Sequence, residues 1–452
     1  MRVTYKFYLA SIFIGIASGF TCVAFRSLIH WADNLRIQLF RINDFSDFQR
    51  MLNHNLSSQE IFLIILKYLI LFLLTSFFLN VIYRLVKKFP TTSGSGLPQT
   101  KALLEKKMEY KTPLKNIIAK FTGGVLSISS GLSFGREGSS VQMGSLIGFI
   151  FGKTLKVEDD NRNYLIAAGA GAGISAAFTA PLASYILILE SLRNDSTANL
   201  NKLTISTLLS GLCAGIIAIF FFPTNIYSSI LIEKPDLKEY QILMIFITMA
   251  VLFSILGKFF SKLLIFIKLN YPKFQIRFDR HYLLLAAMIV AITFFYPSLV
   301  GGNQIFTIEI IESNSYSLLV NLFILTILAT LTIVSNATGF PGGIFIPLLS
   351  IGGLIGKIFC IALAHLDILS LSNTGYFVFI GMSVFFISVV RTPLTGFILI
   401  SEMTGNYEVM FPTLVVGILT YIFTEIMKVR PLDNILYDMM IKNRINTDSS
   451  CS

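Results

Sequence analysis

The sequence predicts an all-α integral membrane protein built of two helical halves, with helices that break inside the membrane. Three observations predict it. The chain carries runs of about 20 apolar residues, the length that crosses a bilayer. Other apolar runs are cut short by Gly and Pro. One segment recurs 212 residues later. Composition agrees: 54% of the 452 residues are hydrophobic and only 13% are charged, about half the soluble norm. Mean hydropathy is +0.72. A chain this apolar needs lipid around it.

The stretch MRVTYKFYLASIFIGIASGF has the basic start and apolar body of a signal peptide. Its helical pattern runs on to about Arg36, through Arg26 and His30, and no small-x-small site precedes a polar domain. It reads as an uncleaved first helix. Clear spans follow at 61–81, 203–222, 242–256, 282–296, 318–334 and 412–423. Shorter or interrupted ones lie at 137–152, 164–178, 181–190, 343–364 and 374–402. Together they predict at least ten helices. The last residues, 441–452, read as a polar, disordered tail.

The net charge is +11, and it is not a nucleic-acid footprint. Basic residues cluster between spans: Lys101, Lys106, Lys107, Lys111 and Lys115; then Lys258, Lys262, Lys268, Lys273, Arg277 and Arg280; then Lys428, Arg430, Lys442 and Arg444. By the positive-inside rule these segments and both termini face the cytoplasm, as in a bacterial inner membrane protein, and the loop near 41–60 is external. Cys22, Cys213, Cys360 and Cys451 show no metal-ligand spacing, and three of them lie in apolar spans as packing residues. The histidines (His30, His54, His281 and His365) are scattered. Neither set supports a metal or cofactor, and no cluster suggests an enzyme embedded in the membrane.

The repeat pairs PLASYILILE (181–190) with PLTGFILISE (393–402). Each begins Pro-Leu, and Glu190 and Glu402 stand at matching positions. Gly135 to Gly138 and Gly342 to Phe345 form a second pair, at about the same distance before each segment. Two halves are expected, 1–225 and 226–440, with a site at their interface. The matched glutamates suggest one structural job, such as capping a neighbouring helix, with Arg391 and Lys120 as partners or as side chains reaching for the interface.

Three Gly-rich breaks carry the chemistry: Gly94-Ser95-Gly96-Leu97-Pro98, Gly135-Arg136-Glu137-Gly138 and Gly343-Ile344-Phe345-Ile346-Pro347. Gly lets the chain turn sharply, good helical sequence follows, and Pro98 and Pro347 sit where a first helical turn tolerates Pro. Each break therefore reads as a helix start within the membrane. A helix start offers free N–H groups and a partial positive charge. Three of them converging make a weak anion site without a full cation. Ser95, Gly96, Arg136, Gly138, Gly343, Ile344 and Phe345 are its candidates. Glu137 carries an anion of its own. At such a site its carboxylate can take the place of a free anion, and once protonated it can leave.

These blocks, in this order, resemble the GSGIP, GREGP and GxFxP motifs of the CLC family of chloride channels and chloride/proton exchangers. AAFTAPLASYILILE (176–190) and EMTGNY (402–407) extend the resemblance over most of the chain. It implies a homodimer in lipid, inverted repeats, and one chloride path per subunit. It implies chloride contact by Ser95 and by the backbone of Ile344 and Phe345, and it makes Glu137 the gate and a proton carrier. The family's C-terminal regulatory domains have no counterpart here. Three positions depart. Ser191 stands where exchangers often carry an inner glutamate, leaving Glu190 or water to substitute. Asp433 stands where an anion-coordinating Tyr is expected, which implies an inner gate more open than usual unless Tyr437, one turn later, reaches the path. Ser139 replaces the usual Pro. Chloride transport with possible proton coupling is the expectation; passive conduction, or another small anion such as fluoride or nitrate, stays open. The intact Ser95 motif favours chloride over fluoride.

Two look-alikes carry nothing. GFIFGKT (148–154) is one residue short of a phosphate loop and ends an apolar helix. GAGAG (169–173) lacks the dinucleotide spacing, and its small residues suit close helix packing.

Overall fold

Long apolar runs without internal breakers become helices because lipid offers no other partner for backbone N–H and C=O groups. The computed structural model describes residues 2–40, 58–192, 199–223, 232–277, 281–302, 307, 309 and 317–449. Sixteen α-helices lie among these residues. The first half holds α1 (Arg2–Phe40), α2 (Ser58–Lys88), α3 (Leu97–Leu104), α4 (Pro113–Ser129), α5 (Glu137–Thr154), α6 (Asp159–Phe178), α7 (Pro181–Leu187) and α8 (Leu200–Phe221). The second holds α9 (Glu239–Arg277), α10 (His281–Phe295), α11 (Leu318–Ala337), α12 (Phe345–Ala364), α13 (Thr374–Val390), α14 (Pro393–Thr404), α15 (Met410–Ile426) and α16 (Leu432–Ser449). A π-helical turn, Ile188–Leu192, extends α7. Among the described residues, seven helices are long and apolar enough to cross a membrane alone, and three shorter ones are also apolar. The expected boundary near 225 and the loop near 41–57 lie outside the described residues, as does Cys451.

Matched positions make matched contacts. Gly144 on α5 meets Gly169 on α6 so closely that a Cβ on either would lie 2.1 Å from the other's carbonyl oxygen. Gly352 on α12 and Gly381 on α13 repeat this at 2.4 Å. The small residues of GAGAG are therefore packing residues. Thr179 and Arg391 end α6 and α13 in the same left-handed conformation, at φ 60° and 68°. The Glu190 carboxylate then accepts from the N–H groups of Leu394 (3.0 Å) and Thr395 (2.8 Å) at the start of α14. The Glu402 carboxylate accepts from those of Leu182 (3.0 Å) and Ala183 (2.7 Å) at the start of α7. Each half caps a helix of the other, as expected from the paired glutamates.

Three expectations need correction. Arg391 and Lys120 do not partner these glutamates. The Arg391 guanidinium bonds Glu425 and the Val429 carbonyl, and Lys120 donates to the Thr92 and Gly94 carbonyls. The second basic cluster is not a loop. Lys258, Lys262, Lys268, Lys273 and Arg277 lie on α9, which is 39 residues long, and Arg280 lies outside the described residues. At about 1.5 Å per residue α9 exceeds the hydrocarbon thickness, so its basic half runs past the apolar zone. There Lys268 donates to Asn336 O (2.8 Å) and Lys258 to Met427 O (3.3 Å), covering the carbonyl ends of α11 and α15. Finally, the tail continues as helix to Ser449. Polar composition alone hides that α16 is docked on α3, where Lys101 Nζ donates to Asn434 Oδ1 at 2.8 Å.

Candidate functional site

The three Gly-rich breaks converge. Each ends in a helix start: Gly96 precedes α3, Arg136 precedes α5, and Ile344 precedes α12. Gly96 holds φ +104°, a conformation other residues rarely adopt. A Cβ there would lie 2.3 Å from Gly138 O, and one on Gly138 would lie 2.2 Å from Ser95 O and 3.2 Å from Gly343 Cα. The starts of α3, α5 and α12 are therefore in backbone contact. Gly135 and Gly343 exchange both of their hydrogen bonds (2.8 and 2.6 Å), the one β-bridge among the described residues. Gly94 N donates to Gly339 O (2.9 Å) and Gly342 N to Gly94 O (3.3 Å), joining the first break to the third.

Glu137 is 0% exposed. Its side chain folds back on the joint: a Cβ on Gly135 would lie 2.1 Å from Glu137 Oε2, and one on Gly343 3.0 Å away. The carboxylate faces the N–H groups of Glu137, Ile346 and Arg136. None of these contacts has the geometry of a well-formed hydrogen bond. The Ser95 and Ser139 hydroxyls are also buried without a hydrogen bond. Phe345 is fixed edge-on against Phe386 of α13 at 4.8 Å. An acidic side chain held loosely by several helix starts can be replaced by a small anion, because the same N–H groups suit both.

Arg136 does a different job from a simple anion ligand. Its Nε and Nη2 donate to Ala177 O (3.1 and 2.9 Å), bracing the end of α6. It also lines a small cavity of about 20 Å³ with His30, Asp33, Phe134, Gly302 and Ile346, next to Glu137.

The remaining candidates separate. Ser191 lies in the π-helical turn, and Glu190 beside it is committed to α14. Tyr437 does not replace the expected tyrosine at the helix starts. Its hydroxyl donates to Glu105 and accepts from Lys107 (3.1 Å), past the far end of α3 and about 12 Å along that helix from its start. Asp433 begins α16 beside Lys101.

Sequence reasoning missed the role of Lys120. Fully buried on α4, its Nζ donates to Thr92 O (3.0 Å) and Gly94 O (2.6 Å), directly behind Ser95. The signal available was an isolated lysine in an apolar helix, which does not name its partner.

Comparison with known proteins agrees with this architecture. Residues 76–425 match the family model described as Voltage gated chloride channel. The H(+)/Cl(-) exchange transporter ClcA of Vibrio cholerae is 30% identical over 446 residues, covering 96% of this chain and 89% of that one. The protein of the same name from Citrobacter koseri is 29% identical over 435 residues, covering 93% and 85%. The crystal structure of a slow cyanobacterial Cl-/H+ antiporter superimposes with a TM-score of 0.85 at 26% identity, covering 97% of this chain and 98% of that one. A CLC-type fluoride/proton antiporter shares the fold at a TM-score of 0.70 and 20% identity, covering 93% and 95%. The helix starts, the exchanged glutamate caps and these matches lead to one statement: the chain is an all-α integral membrane protein of the CLC, or voltage-gated chloride channel, family.

Proposed function

We propose that this chain moves chloride across a membrane in exchange for protons, with Glu137 as gate and proton carrier. The observation that carries it is the Glu137 carboxylate seated at the meeting of the α5 and α12 starts, against Gly135 and Gly343. Ser95, Gly96, Gly138, Gly343, Ile344 and Phe345 hold chloride when the carboxylate leaves, and Arg136 fixes the frame. Protonation removes the charge that competes with chloride, so proton and anion exchange places at one joint. The names of its relatives support both ions. Ser191 favours the second reading, passive conduction, because it offers no inner acid.

The protein works in lipid as a homodimer. Supporting this, Ile418, Ile422 and Ile426 on α15 and Leu212, Ile216 and Phe220 on α8 present large apolar faces outward. Lys101, Lys107, Lys428 and Arg430 cluster near the start of α16 in sequence or contact, which supports a cytoplasmic location for that end and for both termini in a bacterial plasma membrane. Chloride efflux from vesicles with simultaneous proton recording tests the function. The parent takes up protons against their gradient, and Glu137→Ala moves chloride without pH dependence or proton uptake. A Glu137→Ala protein that pumps protons like the parent refutes the assignment.

A further inference from the structure

Resting on the exchange reading, we propose that Asp433 is the proton-binding group at the α16 end of the path. A carrier at Glu137 needs a partner that loads or unloads it from the opposite side. Among the described residues, the buried carboxylate oxygens that accept no hydrogen bond belong to Glu137, Asp33 and Asp433. Asp33 is ion-paired with Arg36 at 2.9 Å and lies on the same cavity as Arg136, on the Glu137 side. Asp433 remains.

Its position fits the task. The start of α5 abuts Ser95, and α3 leads from there toward α16. Asp433 sits in the first turn of α16 facing Lys101, which lies about 9 Å along α3 from Ser95. Lys101 is held by Asn434 and stands 5.1 Å over the Tyr437 ring.

The other acids nearby are already engaged. Glu105 accepts from Tyr437 and from Lys107 at 2.7 Å; burial pushes its carboxyl up, but these bonds outweigh that and hold it below its ordinary value. Asp438 pairs with Arg430 at 2.6 Å in solvent. Glu190 and Glu402 cap helices. The neighbouring α13 ends in Arg391, which is paired with Glu425. Lys101 is thus the charge that faces Asp433. Burial lifts the Asp433 carboxyl to about 6, against the opposing pull of Lys101, so it can both take and give a proton near neutrality. The step makes and breaks only O–H bonds. Asp433 accepts a proton from solution and passes it to water in the path, which delivers it to a Glu137 oxygen.

The test uses the full chain in phosphatidylethanolamine/phosphatidylglycerol vesicles, following chloride and protons together. Asp433→Asn keeps chloride flux while proton uptake falls about tenfold or more, and Asp433→Glu keeps both. Proton uptake by Asp433→Asn at the parental ratio overturns the proposal. Loss of both fluxes in both variants also overturns it, because the residue is then structural. A parent that moves chloride without protons overturns it as well, whereas a parent that moves no chloride overturns the transport reading itself.

Discussion

Replacing Glu190 by Gln keeps the size of the side chain and removes its charge. The carboxylate now accepts three hydrogen bonds, from Leu394 N (3.0 Å), Thr395 N (2.8 Å) and the Thr395 hydroxyl (2.6 Å). Gln offers one acceptor and turns an N–H₂ toward a helix start that already presents donors. A bond to a charged acceptor contributes about 1.5–3 kcal/mol. Taking the low end for the two part-buried Thr395 bonds and nothing for the exposed Leu394 N–H, Glu190→Gln costs about 3 kcal/mol. Glu402 lacks the hydroxyl contact, because the matching residue is Ala183, so Glu402→Gln costs about 1.5 kcal/mol by the same count. Thermal unfolding in detergent reads both, with the larger fall for Glu190→Gln. In vesicles the number of chlorides moved per proton stays as in the parent. An unchanged melting temperature, or an altered ratio of ions, refutes the view that Glu190 is committed to capping.

Three further predictions follow from named contacts. Gly144→Ala drives a Cβ to 2.1 Å from Gly169 O, with backbone on both sides, and should cost about 3 kcal/mol or more; a normal yield and melting temperature would contradict the packing described. Lys120→Met removes the buried amine that donates to the Thr92 and Gly94 carbonyls behind Ser95, and anion affinity should fall. Bromide titration measures it, and parental affinity excludes the electrostatic role. Asp433, lifted from 3.8 to about 6, favours the protonated form when folded. Folding then takes up a proton, and stability falls as pH rises from about 4 through about 6. Two pH units set a ceiling of about 3 kcal/mol, and partial exposure lowers it to about 1. Asp433→Asn should melt higher than the parent near neutral pH and equal to it near about pH 4; equal melting at both counts against an enclosed carboxyl.

Local chemistry made the breaks legible. Gly at 94, 96, 135, 138 and 343 marked turns, and Pro98 and Pro347 marked first helical turns, so the helix starts could be placed without coordinates. Glu190 and Glu402 were legible as a pair because the repeat aligned them, though not which helix each would cap. Long side chains defeated the reading. Lys258 and Lys268 looked like loop charges because composition records charge but not reach, and their stems carry the ammonium groups to carbonyls on other helices. Tyr437 lay one turn from the expected position, yet its hydroxyl is drawn to Glu105 and Lys107, which only tertiary packing brings near. The tail failed for a similar reason: its polarity suggested disorder, whereas it continues the helix begun at Leu432, which Asn434 ties to Lys101 of α3.

The Gly135–Gly343 bridge fixes more than a distance. Many transporters work by alternating access, in which one repeat rocks against the other around a central substrate. Here the two repeats are bonded to each other at the joint where we propose the anion binds, so such rocking would first have to break that joint. The movable part is then a single side chain. Turnover in this fold becomes a matter of rotamer and protonation, and structures with chloride bound or displaced should superimpose everywhere except at Glu137 and the residues that give it room.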